Sequence, residues 1–138
     1  MPRELFMEYA WRFIGTFYVW GGDDPSGFDC SGYAIEVCKS VGALPRHGDW
    51  TAEGLWNHFS DKKVVKPYEG CLVFWANDAG KPVHVEICVN ENLSIGASGG
   101  GSNTTTIAKA IEHNAFIKMR PMESRSRILG FVDPLMDS

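Results

Sequence analysis

The sequence has no uninterrupted apolar run approaching the ~20 residues of a membrane-spanning helix, no Cys-x-x-Cys pair and no excess of positive charge. Each absence removes a class of function. Without a long apolar run no membrane span is expected. With 13 Lys and Arg against 17 Asp and Glu, a formal charge of -4 and a pI near 5.5, the chain lacks the electrostatic footprint of a nucleic-acid binder. The cysteines, Cys30, Cys38, Cys71 and Cys88, and the histidines, His47, His58, His84 and His113, are not spaced as metal ligands, so neither a metal nor an organic cofactor is expected. The stretch "MPRELFMEYAWRF" carries Glu4 and Glu8 where a signal peptide has an unbroken apolar core, so the expectation is a chain made in the cytoplasm without a signal peptide. No internal repeat is visible.

What is present suffices for one compact domain over residues 1–138, because 44% hydrophobic and 12% aromatic content can bury a sizeable core. Leu5, Phe6, Tyr9, Ala10, Phe13 and Ile14 recur at helical spacing, and Gly15 closes that first helix. "YVWGGDDPSG", residues 18–27, reads as a loop. Ala34, Val37, Cys38 and Val41 then repeat at helical spacing up to Gly42, which starts a second helix at or beside Cys30. A shorter third helix is expected after Asp49 or Thr51, through Leu55, Trp56 and Phe59. Beyond residue 63 the texture turns to strands: "CLVFWA" from 71, "VHVEICV" from 83, "LSIGAS" from 93, "AFIKMR" from 115 and "RILGFV" from 127. Between them, "SGGGSNTTT", residues 98–106, reads as a flexible loop. Helices first and a mostly antiparallel sheet afterwards define an α+β fold. In "VHVEICV" alternation sets His84, Glu86 and Cys88 on one face.

The chemistry concentrates at "GFDCSGY", residues 27–33. A cysteine in the first turn of a helix feels the positive end of the helix dipole and unpaired backbone N–H groups, which favour the thiolate. The same N–H groups can receive the oxygen of a tetrahedral intermediate. Asp29 opposes a thiolate, so it needs another task. A lone cysteine at such a junction is more often a small buried hydrophobe, and a nucleophilic one needs an imidazole from elsewhere in the fold. His84 is the histidine that falls within an expected strand. His47 and His58 fall in a polar stretch that reads as surface, and His113 falls in a turn between Glu112 and Asn114.

Taken together, "FYVWGGDDPSGFDCSGYAIEVCKSVGALPR" (17–46), "GCLVFW", "PVHVEICV" and "LSIGASG" resemble the NlpC-type cell-wall peptidases, a bacterial and phage family of papain-like cysteine peptidases. The likeness runs from about residue 5 to 132. It implies a papain-like fold in which N-terminal helices pack on a five- to six-stranded sheet and Cys30, at a helix N-terminus, is the nucleophile. His84 would be the general base, and Tyr18 would support the oxyanion hole. Asp29 and Ser31 would contact substrate, Asp29 by pairing with a free amino group; Gly21, Gly22 and Gly27 would let the loop approach closely. The sequence departs from the pattern twice. The family orients its base with a third polar residue, usually His, about twelve positions further on, where this chain has Gly96; a backbone carbonyl, a water, Glu86, Ser98 or Asn103 would have to replace it. Cys71 stands where the family commonly has Asp, and Cys71 and Cys88 read as packed core thiols.

The resemblance implies hydrolysis of an amide bond in peptidoglycan stem peptides, between a γ-linked D-glutamate and the following diamino acid, through a thiolate acyl-enzyme. The chain would then act on the cell wall as a phage-encoded, secreted or exported protein, with an immunity or virion partner as an open possibility. Two other readings stand beside it. Gly96 allows a wall-peptide binding module without chemistry, and papain-like relatives include amidases and acyltransferases on other substrates, for which Trp50 and Trp56 would line a groove.

Overall fold

The computed structural model describes residues 2–17, 19, 23–24, 27–28, 30–45, 50–98 and 104–136; at 2, 23–24, 27–28, 30 and 98 it describes backbone alone. Helix α1 (Pro2–Arg12) starts with proline at the position where a missing N–H costs nothing, and buries Phe6, Met7 and Ala10 along one face. The short strands β1 (Asp23–Asp24) and β2 (Gly27–Phe28) pair antiparallel. They form a small hairpin inside the stretch read as loop. Two residues per strand are too few to leave a period in the sequence.

Helix α2 (Cys30–Ser40) begins at Cys30, as expected, and buries Tyr33, Ala34, Val37 and Cys38. It ends where Gly42 takes φ +78°, with Ala43 N–H donating to the Cys38 carbonyl and Gly42 N–H to that of Lys39. Glycine enters the left-handed region there at no steric cost, and the paired bonds satisfy carbonyls that the helix leaves open. Helix α3 (Ala52–His58) is capped by Thr51, whose Oγ1 accepts from Gly54 N–H at 3.0 Å.

The remaining chain builds the sheet from β3 (Lys63–Val64), β4 (Leu72–Ala76), β5 (Pro82–Cys88), β6 (Leu93–Ser98), β7 (Phe116–Pro121) and β8 (Ile128–Val132). These six antiparallel strands run in the order β3-β8-β4-β5-β6-β7, giving the α+β architecture expected. Helix α4 (Ile107–Glu112) lies between β6 and β7. It is an element that six residues with one buried side chain, Ala110, do not announce. Asn114, at φ 54°, ends it. At the end of the run read as a loop, Thr104 is buried and its Oγ1 sits 2.9 Å from His113 Nδ1, while residues 99–103 lie outside the described residues.

Pleating divides the sheet residues between two cores. Leu72, Phe74, Val85, Ile87, Ile95 and Ile117 join the helices in the larger one. Cys71, Val73, Trp75, Cys88 and Met122 form a smaller one. Trp56 packs edge-on against Phe74, with centroids 5.1 Å apart, and carries the Lys63 ammonium over its ring. Trp56 thus packs as a core residue that ties α3 to the sheet, the commoner role of a tryptophan at helical spacing. A side chain at Gly130 would meet its ring at 2.9 Å.

Candidate active site

The site is built on β5. Its register with β4 sets Trp75 opposite His84, with a bulge at the next step, and the two rings lie 5.2 Å apart. Val85 and Ile87 enter the larger core, so alternation turns His84, Glu86 and Cys88 together to the other side of the strand. Val83, at 41% exposure, shows that the larger core ends at Val85 on that side of the strand, while Pro82 and His84 on the opposite side are buried. His84 itself is only 5% exposed.

Three polar side chains form a chain of short bonds there. His84 Nε2 lies 2.7 Å from Glu86 Oε2, and Ser94 Oγ donates to Glu86 Oε1 at 2.6 Å. Glu86 and Ser94 are buried as well. The register of β5 with β6, Ile87 opposite Ile95 and Cys88 opposite Ser94, continues to put Glu86 across from Gly96. A Cβ on Gly96 would lie 2.2 Å from Glu86 Cγ and 2.6 Å from Cδ. The Glu86 side chain therefore occupies the space that any side chain at 96 would need.

Helix α2 packs against both β5 and β6. Tyr33, one turn after Cys30 and on the same helix face by spacing, is fully buried and donates its hydroxyl to the Ala10 carbonyl at 2.6 Å. Burial pushes the Tyr33 phenol well above its ordinary value, and the Glu86 charge adds to the rise. The Tyr33 phenol thus lies within electrostatic reach of the Glu86 carboxylate. The Cys30 side chain, Tyr18, Asp29, Gly21 and Gly22 lie outside the described residues, as do His47, Asn103 and the side chain of Ser98; Gly27 is described in strand β2. Ser31 is half-buried in the first turn of α2.

The other thiols have a different character. Cys38, Cys71 and Cys88 are free and buried. Burial pushes Cys38 up to about 12 and also raises Cys71 and Cys88. These are the inert core thiols the sequence suggested for Cys71 and Cys88. His58 is exposed and stacks edge-on against Trp50, and His113 is tied to Thr104. Neither stands near the β5 cluster in the described contacts. Among the described residues no group of His, Cys, Asp and Glu is arranged to hold a metal. An open groove of about 660 Å³ runs past Val83, with Asn77, Asp78, Arg125 and Arg127 on its walls.

A family model described as the NlpC/P60 family matches residues 15–121. Protein P54 of Enterococcus faecium is 41% identical over 96 residues, covering 68% of this chain and 18% of that protein. The probable peptidoglycan endopeptidase LytE of Bacillus subtilis is 33% identical over 97 residues, 68% of this chain and 27% of LytE. The γ-D-glutamyl-L-lysine dipeptidyl-peptidase of the same organism is 38% identical over 71 residues, 50% of this chain and 22% of that enzyme. The chain thus matches about a quarter or less of the length of these relatives. The crystal structure of the NlpC/p60 domain of the peptidoglycan hydrolase SagA superposes with a TM-score of 0.67 at 26% identity, covering 94% of this chain and 97% of that one.

Proposed function

Because the chain belongs to the NlpC/P60 family, we propose that it is a cysteine peptidase that hydrolyses an amide bond in peptidoglycan stem peptides. The observation that carries the reading is a buried imidazole, His84, held by a carboxylate at 2.7 Å on the strand against which the Cys30 helix packs. Cys30 is the nucleophile and His84 the base. The thiolate attacks the amide carbon, and the oxyanion that forms is received by backbone N–H groups at the start of α2, with Tyr18 in the supporting role that the resemblance implies. His84, having taken the thiol proton, gives it to the leaving nitrogen as the C–N bond breaks. A thioester remains on Cys30. Water, losing a proton to His84, attacks the thioester, and the carboxylate product leaves with the thiol restored.

The bond we assign is the one between γ-linked D-glutamate and the following diamino acid. It is supported by the name of the γ-D-glutamyl-L-lysine relative and by the resemblance of Asp29 and Ser31 to substrate-contacting positions. In this reading Asp29 neutralises a free amino group on the peptide, which accounts for an acid placed next to a nucleophile. The groove beside Val83 gives the peptide room to extend. Action is on the cell wall, by a phage-encoded, secreted or exported chain.

Incubation with purified muropeptides, resolved by mass spectrometry beside Cys30→Ala, tests the reading. Cleavage after D-glutamate that is lost in a folded Cys30→Ala variant is the expected result. Undiminished cleavage by that variant would remove Cys30 from the mechanism, and binding of stem peptide without any product would leave a binding module.

A further inference from the structure

We propose that Glu86 is the residue that positions the His84 imidazole, and that position 96 is glycine because the Glu86 side chain must cross it. The proposal rests on the peptidase reading for its kinetic consequence, but the geometry stands apart from any substrate. A carboxylate can only accept, so the 2.7 Å bond between Glu86 Oε2 and His84 Nε2 requires the hydrogen on Nε2. Proton transfer with the thiol then falls to Nδ1. That contact selects one tautomer and favours one ring orientation.

The carboxylate is itself held. Ser94, fully buried on β6, donates to Oε1 at 2.6 Å, so each Glu86 oxygen has a named partner and the pair cannot rotate without breaking both bonds. Position 96 faces Glu86 directly, where a Cβ would come within 2.2 Å of Cγ, so an orienting side chain at 96 and Glu86 in its present place exclude each other. The orienting group has moved from the neighbouring strand to the strand of the base, two residues along, where alternation returns it to the same face.

A carboxylate also does what a neutral partner cannot. When His84 carries the second proton, the Glu86 charge stabilises the imidazolium in a site of low dielectric. Other charged or titratable groups lie nearby. Arg120 and Arg125 line a cavity of about 120 Å³ beside Glu86 and Trp75, Tyr33 approaches from α2, and Cys88 follows on β5. None of these has a bond to His84 in the described contacts.

The test combines kinetics with the ring N–H proton of His84. In the unmodified protein a hydrogen-bonded, slowly exchanging Nε2–H proton should be visible by NMR, close to the Glu86 methylenes; its absence overturns the assignment without any variant. Glu86→Ala should lose that signal and lower kcat roughly 10²-fold with KM nearly unchanged. Glu86→Gln, which can still accept from Nε2–H but carries no charge to stabilise the imidazolium, should keep the signal and lose less of the rate than Glu86→Ala does. Glu86→Ala combined with Gly96→His should recover part of the lost rate, because the imidazole then has the vacated space. Wild-type kcat in Glu86→Ala with the proton signal intact would refute the proposal. If the protein proves inert toward stem peptides, the proton signal and its loss in Glu86→Ala still decide the positioning role, separately from the peptidase reading.

Discussion

Gly96→Ala adds one methyl group, and the structure fixes what it meets: Glu86 Cγ at 2.2 Å, Cδ at 2.6 Å and Cβ at 3.0 Å. Ordinary contact begins near 3.4 Å, so one of the two strands or the Glu86 side chain must give way by about 1 Å. The carboxylate is pinned at both oxygens, which makes a simple swing costly, since it would leave a buried charge short of partners. A shift of backbone and side chain together is cheaper, at about 1–3 kcal/mol. For 138 residues the unfolding entropy makes each kcal/mol worth roughly 3–4 °C in Tm, so the variant should melt about 4–10 °C lower. The decisive measurement repeats the substitution in Glu86→Ala. With the obstacle gone, the methyl should be neutral or stabilising by up to about 1 kcal/mol, as for an interior strand glycine made alanine. The two costs should therefore differ by about 1–4 kcal/mol, which reaches the upper end of the coupling expected of residues in contact. Equal destabilisation in both backgrounds, measured by denaturant unfolding, would show that Glu86 does not occupy the space above Gly96.

Two further predictions concern other parts of the fold. Asp133 is buried and accepts from Arg3 and Tyr68 at 2.8 and 2.6 Å. Burial works to raise its pKa, but these bonds outweigh it and hold the carboxyl below its ordinary 3.8. The stabilisation is fully present above pH ~4 and is lost as pH falls through the depressed value. Asp133→Asn should cost about 2 kcal/mol near neutrality, moderated because Arg3 is 35% exposed, and should flatten the fall in Tm below pH 4; an unchanged acid limb would count against the network. Iodoacetamide at neutral pH should label one thiol of the native protein, Cys30, and all four after unfolding, because Cys38, Cys71 and Cys88 are buried with raised pKa values. Rapid native labelling of any of those three, located by peptide mapping, would contradict their burial.

Much of the scaffold was legible because its signals are local. Gly15 and Gly42 marked helix ends that their positive φ values realise, and the five sheet runs appear within a residue or so of the expected bounds. That His84 and Glu86 share a face followed from alternation alone. That Glu86 bonds His84 across from Gly96 did not, because that placement depends on the register of β5 against β6, set by the turn after Val89 rather than by either strand's pattern. Helix α4 and strand β3 were missed because six and two residues carry too little period, and Thr104 because a polar residue buried by a tertiary bond to His113 looks like any other loop residue. Trp56 was ambiguous until its contact with Phe74 settled which side it serves.

Strand β8 lies between β3 and β4, although it is the last strand in sequence. A ribosome releases β4 long before residues 128–132, so the growing chain carries Leu72, Val73 and Phe74 on an open sheet edge until synthesis has nearly passed the domain. Strand β3, whose described pairing is with β8 alone, waits just as long. The sheet therefore closes by insertion rather than by growth at a rim, and the non-local pairings that complete it favour slow folding. A chain interrupted before residue 128 would lack an interior strand, not a peripheral one.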